Sequence, residues 1–454
     1  MDDAVTGTAV AHGSAFRRRR FLNWFPLGIA YALLYMGRYN LTVSKNALGD
    51  LMTKSDFGDI FGYGAVVYAV SFLINGPLVD RIGGKRGMLI GVAGAAVANL
   101  LMGLYLYHVL GLVDPASAPL REVYIGLYAL NMYFQSYGAV SIVKVNANWF
   151  GLTERGTFSG IFGIMIASGI FLAFDVSGTI LASPLVTGRG FNGGDALWWV
   201  FLSPAALLGI IFAVEWFLLR DRPSQAGFTD FETGDASAGE DLNEKISPLD
   251  LYKRILTHPV ILTIAAIEFC TGVLRNGVMH WFPIYAKEQV AAGATGGFGF
   301  MLGHWGLLLM IAGVIGGNVA GLVSDKLFQS RRAPAAVFLY GLLTLCTGAM
   351  LVSLMNGWLL GALVFLMSVA VIGTHGLLSG TATMDFGGRK GAATAVGVID
   401  GFVYLGTGLQ SLALGYITTR DWSYWPVFLL PFGVAGTLLL LRIWNAKPGR
   451  AGGH

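Results

Sequence analysis

Three basic side chains stand where hydrocarbon is expected. Arg38, Lys144 and Arg275 each lie inside a long apolar run, and insertion scales put each at roughly +2.5–3.5 kcal/mol near a bilayer centre. Such groups have to face a watery cavity or a partner, not lipid. Arg38 and Arg275 sit at nearly equal depths in their runs, counted from Arg20 and from His258. Two guanidinium forks converging on one point suit a tetrahedral dianion, because each bonds two oxygens at once. A phosphate monoester is such a dianion, with a second pKa of about 6.

The neighbours fit an anion site. On a helical wheel Tyr31 and Tyr35 lie about 20° and about 60° from Arg38, with Thr42 about 40° to the other side. Glu268 and Thr271 share the face of Arg275, although Glu268 is about 10 Å away along the axis, too far to pair directly in a straight helix. Arg38 alone, close to Lys45, fits a snorkelling anchor equally well. The depth-matched pair is what favours a shared site. The other acids within apolar runs are Asp175, Glu215, Glu268 and Asp400, with Asp385 at a helix end. Glu268 or Asp400 is expected to pair with a cation when the site is empty, so that substrate competes for it and occupancy is tied to movement.

These residues need helices to hold them in a membrane. The chain has 454 residues, 55% of them hydrophobic and 12% charged, about half the charged fraction of a soluble domain. Apolar runs long enough to cross a bilayer recur from end to end. They predict twelve helices near 21–44, 57–79, 86–110, 120–147, 157–181, 197–219, 258–287, 298–324, 333–354, 357–384, 391–417 and 423–445. Lys and Arg crowd the side holding both termini, while the opposite side holds Lys45, Lys54, Arg121, Arg189, Lys287 and Arg420. Both termini are therefore expected in the cytoplasm. The division follows: a tail at 1–20, a six-helix bundle at 21–219, a polar linker at 220–257, a second bundle at 258–445 and a tail at 446–454. Arg17-Arg18-Arg19-Arg20 reads as the cytoplasmic flank of an uncleaved anchor helix.

The halves echo each other. Gly76-Pro-Leu-Val-Asp80-Arg81-Ile-Gly-Gly-Lys85-Arg86 follows the second helix, and Gly321-Leu-Val-Ser-Asp325-Lys326 follows the eighth. In each, the acid–base pair is placed to latch neighbouring helix ends. The first copy resembles the G-x-L-x-D-R-x-G-x-K-R loop signature of the major facilitator superfamily. That resemblance implies an all-α membrane protein, with twelve transmembrane helices in two pseudo-symmetric six-helix bundles around a cavity open alternately to either side.

A narrower resemblance rests on Leu274-Arg275-Asn276-Gly277-Val278-Met279-His280-Trp281-Phe282-Pro283-Ile284-Tyr285-Ala286-Lys287-Glu288. It is similar to the L-R-x-G-x-x-x-W-x-P-x-Y-x-K-E of the organophosphate:phosphate antiporters. Gly391-Ala-Ala-Thr394, Tyr404-Leu405-Gly406 and Arg220-Asp221-Arg222-Pro223 resemble the same group. The resemblance implies that Arg38 and Arg275 hold phosphate, with Tyr31, Tyr35, Tyr68 and Tyr404 lining the cavity and Lys144 in place of a family arginine. Phe72, Ile166 and Tyr39 depart from positions where relatives carry a lysine, a histidine and a lysine. These departures argue against glycerol 3-phosphate in particular, and for another phosphate-bearing anion.

The expected function is exchange of an organic phosphate for inorganic phosphate by a monomer in a bacterial inner membrane, with lipids and a small anion as its only partners. The alternatives are a proton-coupled organic-anion symporter and a transporter-like ligand receptor. No enzyme, cofactor, metal or nucleic-acid role is expected. The chain lacks the G-x-x-x-x-G-K-[ST] and H-E-x-x-H patterns, and its charge of +4 is largely the topology signal. Cys270 and Cys346 read as packing residues, and Asn40-Leu41-Thr42 as an unusable sequon within a helix. Gly313, Gly317 and Gly321 predict a smooth packing face on the eighth helix. His280 and His304 are expected near the outer side, exposed or hydrogen-bonded.

Overall fold

Apolar runs punctuated by caps and glycine joints form a helical protein. The structure, a computed structural model, describes residues 13–150, 163–230, 252–253, 256–328 and 332–445, without the side chains at 80, 147, 325 and 380–396. We number the long helices α1 (Ser14–Leu48), α2 (Lys54–Ile82), α3 (Gly84–Leu110), α4 (Leu120–Trp149), α5 (Gly163–Leu181), α6 (Trp199–Leu218), α7 (Pro259–Ala291), α8 (Trp305–Leu322), α9 (Arg332–Ser353), α10 (Gly357–His375), α11 (Thr383–Arg420) and α12 (Tyr424–Arg442).

Local chemistry sets the ends. Thr53 and Asp56 form a capping box at the start of α2, satisfying two otherwise orphaned N–H groups. Asn356 caps α10, and Pro259 begins α7 behind a His258 cap. Helix α7 breaks its regular course at His280, where one helical segment ends at Met279 and the next starts at Trp281. Wide π-type turns occur at Leu172–Val176, Val323–Leu327 and Gly376–Ala382.

Among the described residues, nine helices are long and apolar enough to cross a membrane. Helices α1 and α4, which carry Arg38 and Gln135, are not among these nine, and Tyr404 lies on α11. Helices α1–α6 form one bundle and α7–α12 the other, with α2 lying along α11 between them.

The loop signature locks to the segment after α6. Lys85 donates its backbone N–H to Asp221 Oδ1 at 2.7 Å and its ammonium to the Trp216 carbonyl at 2.8 Å. Arg220 N–H donates to Asn23 Oδ1 at 2.8 Å. Gly83 makes the turn at φ 92°, ψ 152°, and a Cβ there would lie 2.9 Å from Asp221 Oδ2. Gly83→Ala is therefore expected to cost about 1–3 kcal/mol and to lower the thermal unfolding midpoint of the purified protein; an unchanged midpoint would show that this joint tolerates a side chain. Arg81 and Lys326 are exposed, while the side chains of Asp80 and Asp325, their expected latch partners, lie outside the described residues.

The smooth face expected on α8 is displaced. A Cβ on Gly317 or Gly321 would meet open space, whereas Gly316 approaches α10, where a Cβ would stand 2.3 Å from the Val369 carbonyl oxygen. The rotation of α8 selects a different glycine from the one that spacing suggests.

Candidate anion site between the bundles

Arg38 projects from the middle of α1 and is fully buried. Its Nη1 donates to Tyr404 Oη at 3.0 Å, and its Nη2 to Tyr68 Oη at 3.0 Å and Gln135 Oε1 at 3.1 Å. The guanidinium carbon stands 4.7 Å from the Tyr35 ring centre and 4.6 Å from that of Tyr68, in range for cation–π attraction. Nε has no hydrogen-bond partner among the described residues. One cation thus joins α1 to α2 and α4 in its own bundle and to α11 in the other.

A polar collar fixes this face of α1. Gly37 O accepts from Asn99 at 3.0 Å and Asn131 at 2.9 Å. Arg38 O accepts from Tyr128 Oη at 3.0 Å, and Leu34 O from Gln135 Nε2 at 2.8 Å. Gly37 is needed for the approach, since a Cβ would lie 2.9 Å from Asn99 Nδ2. Gln135 holds both the arginine and the helix that carries it. As a polar residue inside an apolar run it gave a signal that reading for charge alone passes over.

Arg275, half-buried on α7, has Tyr35, Tyr39 and Tyr404 as electrostatic neighbours. Those same three tyrosines neighbour Arg38. The two cations expected to face one another therefore share one tyrosine cluster at the bundle interface. Tyr31 packs edge-on to Tyr35 at 5.2 Å, and the Tyr68 and Tyr404 rings are 4.3 Å apart. Phe72 packs on Tyr68 at 4.6 Å and near Tyr404 at 6.1 Å, giving the cluster an apolar edge. Buried donors of this kind act strongly on an anion, because little water competes with them.

The other candidates are set apart. Lys144 is nine residues beyond Gln135 on α4, about 13.5 Å along the axis, toward the end of the molecule where the segment after α6 lies. Glu268 pairs with His375, Oε2 to Nδ1 at 2.8 Å. Asp400 accepts from Ser379 Oγ at 2.6 Å. His375 has no counterpart in the sequence reading, although an imidazole within an apolar helix was signal enough.

At the end opposite the α6 segment, bonds cross between the bundles. His280 is buried, with Nδ1 2.7 Å from Thr42 Oγ1 and its ring 4.4 Å from Phe61. Lys54 pairs with Glu288 at 3.1 Å, and Glu288 also accepts from Trp422 Nε1 at 2.6 Å. Asp59 takes Arg121 at 2.6 Å and Tyr416 Oη at 3.0 Å. Asp175 accepts the Gly306 and Leu307 N–H groups at 2.7 and 2.9 Å, a carboxylate at the positive end of α8. Below these, Gly58 and Gly62 of α2 meet Gly408 and Gly415 of α11 at backbone range. This end is closed. Asn40 of the formal sequon is buried against Asn99 and Val200 O, and Cys270 and Cys346 are buried free thiols.

This fold, with its paired bundles and central cations, defines a carrier scaffold, and the comparisons agree. Residues 27–411 match the Major Facilitator Superfamily, and the chain belongs to that family. It is 27% identical to the membrane sensor protein UhpC of Salmonella typhimurium, over 95% of this chain and 93% of the relative. It is 26% identical to the glycerol-3-phosphate transporter of Bacillus subtilis, over 95% and 94%, and 26% identical to a probable hexose phosphate transport protein of Chlamydia pneumoniae, over 93% and 90%. These relatives match the organophosphate:phosphate antiporter group within the superfamily. In fold it is similar to the crystal structure of a bacterial homolog of the human lysosomal transporter Spinster, in an inward-facing and unoccupied conformation. That match has TM-score 0.67 and 14% identity, over 96% of each chain. The D-xylose-proton symporter gives TM-score 0.64 and 13% identity, over 93% of this chain and 96% of that one.

Proposed function

We propose that the protein exchanges an organic phosphate ester for inorganic phosphate by alternating access, without a catalytic step. The observation that carries this reading is the pair Arg38 and Arg275, one from each bundle, sharing Tyr35, Tyr39 and Tyr404. In this reading phosphate oxygens replace the phenol and amide oxygens that now accept from Arg38, and a bound dianion relieves the repulsion between two cations. Closing the bundles around an empty site is then costly, which favours exchange over one-way leak. Tyr31, Tyr68 and Lys144 complete the lining or its approach, and Asp80, Arg81, Asp325 and Lys326 remain candidates for the gating loops. In this reading the cytoplasmic side is the one bearing the Arg17–Arg20 cluster and both termini, so the closed end faces outward. The carrier works as a monomer in a bacterial inner membrane, divided into bundles at 21–219 and 258–445 by a linker at 220–257.

The test is efflux of labelled phosphate from proteoliposomes. Hexose or triose phosphate outside is expected to accelerate efflux more than glycerol phosphate does, and carboxylates to leave it unchanged. Efflux indifferent to every external phosphate ester would overturn the reading. The similarity to a membrane sensor favours a second reading, a receptor on this scaffold. Saturable binding of a phosphate ester with no counterflow would decide for it.

A further inference from the structure

About two turns before Arg275 on α7, the Glu268 side chain is 0% exposed, and its Oε2 stands 2.8 Å from His375 Nδ1. The imidazole is 25% exposed, so one edge of the pair is open while its other member is sealed. Glu268 Oε1 has no hydrogen-bond partner among the described residues. His375 closes α10 where regular turns give way to the π stretch Gly376–Ala382, a geometry often found at functional sites. Among the described residues, the titratable groups around the couple are Cys270 and Arg275 on α7, Tyr340 on α9 and Asp400 on α11. Asp400 is held by Ser379 Oγ at 2.6 Å.

A carboxylate this buried is costly unless its charge is matched. One proton shared between Nδ1 and Oε2 makes the couple net neutral. Loss of that proton leaves one negative charge facing Arg275 and Asp400. We propose that the Glu268–His375 couple is a proton-binding site linked to the anion site. With the proton bound, Arg275 is free to hold a dianion; with it lost, the couple's charge opposes the dianion. The proton comes from water at the exposed edge of His375 and returns there, and no other bond is made or broken. Linkage is reciprocal, so anion binding has to draw a proton onto the couple. The inference rests on Arg38 and Arg275 being the phosphate site.

The test uses the full chain, purified, with monofluorophosphate as a probe that stays a dianion across the pH range. Wild-type affinity is expected to fall on the alkaline side by up to about tenfold per pH unit, the limit for one linked proton. An indicator dye in weak buffer is expected to report proton uptake on binding. Glu268→Gln should bind with a flat pH profile and no uptake. His375→Gln should also lose the wild-type profile, because the unmatched buried carboxyl of Glu268 takes a proton and stays neutral. Retention of the wild-type slope and uptake by Glu268→Gln would overturn the inference while leaving the anion site standing. Should either variant misfold, wild-type binding without proton uptake is enough to reject it. A folded wild-type protein that binds neither this probe nor phosphate would remove the anion-site reading, and this inference with it.

Discussion

Arg38→Lys is expected to abolish phosphate exchange, by more than about 100-fold, while leaving a folded and inserted protein. The arginine places donors on Tyr404, Tyr68 and Gln135, from three different helices, all within 3.1 Å. A lysine ammonium is a point donor on a flexible stem and cannot span that fork. Losing two charge-assisted hydrogen bonds at about 1.5–3 kcal/mol each removes roughly 3 kcal/mol or more, and each 1.4 kcal/mol is about tenfold in affinity. Arg38→Met separates function from structure. A neutral side chain of similar length relieves the burial of a charge, so it is expected to match or exceed wild-type thermal stability and still fail to exchange. Loss of stability in the methionine variant would assign Arg38 to scaffolding, and normal exchange by the lysine variant would remove the two-fork site.

Gly58→Val is expected to force the closed end open. A Cβ at Gly58 would lie 2.6 Å from Ser411 O and 2.8 Å from Gly415 Cα. Both are backbone atoms, so neither can rotate aside as a side chain can. Overpacking of this kind costs about 1–3 kcal/mol, a factor of about 5–150 in a two-state equilibrium. The cost falls on the state in which α2 and α11 touch, because separating the bundles removes the clash. Spin labels at exposed Asp50 and Arg420, one on each bundle at this end, should show longer distances than in the parent, with exchange slowed because closure is now uphill. Unchanged distances together with full exchange would mean that this crossing is not a moving contact. The cross-bundle ion pair Lys54–Glu288 is a weaker latch, since partly exposed ion pairs contribute about 0–1 kcal/mol.

The family's helix-seven motif acquires a physical division of labour. Arg275 turns to the tyrosine cluster, whereas Glu288 turns to Lys54 and Trp422 across the closed end. Trp281 and Tyr285 fill buried positions between them. One stretch of α7 thus carries both a candidate ligand and a latch. The break at His280 lies between them, with its imidazole tied to Thr42 of the opposite bundle.

The sequence by itself determined the membrane class, the helices and the depth of the two arginines. Hydropathy and charge are summed over neighbours in the chain, and depth along a helix is a matter of counting residues. Which side chains meet was decided only by tertiary structure. Arg38 and Tyr404 are 366 residues apart, and Glu268 and His375 are 107 apart. Such pairings depend on the rotation of each helix about its axis and on how the two bundles lean together. Spacing placed Glu268 on the face of Arg275 and favoured Gly313, Gly317 and Gly321 as the packing face of α8. Packing turned Glu268 to His375 and seated Gly316 against Val369 instead. Helical periodicity fixes angles within one helix, and the zero of that angle is set by what the helix packs against.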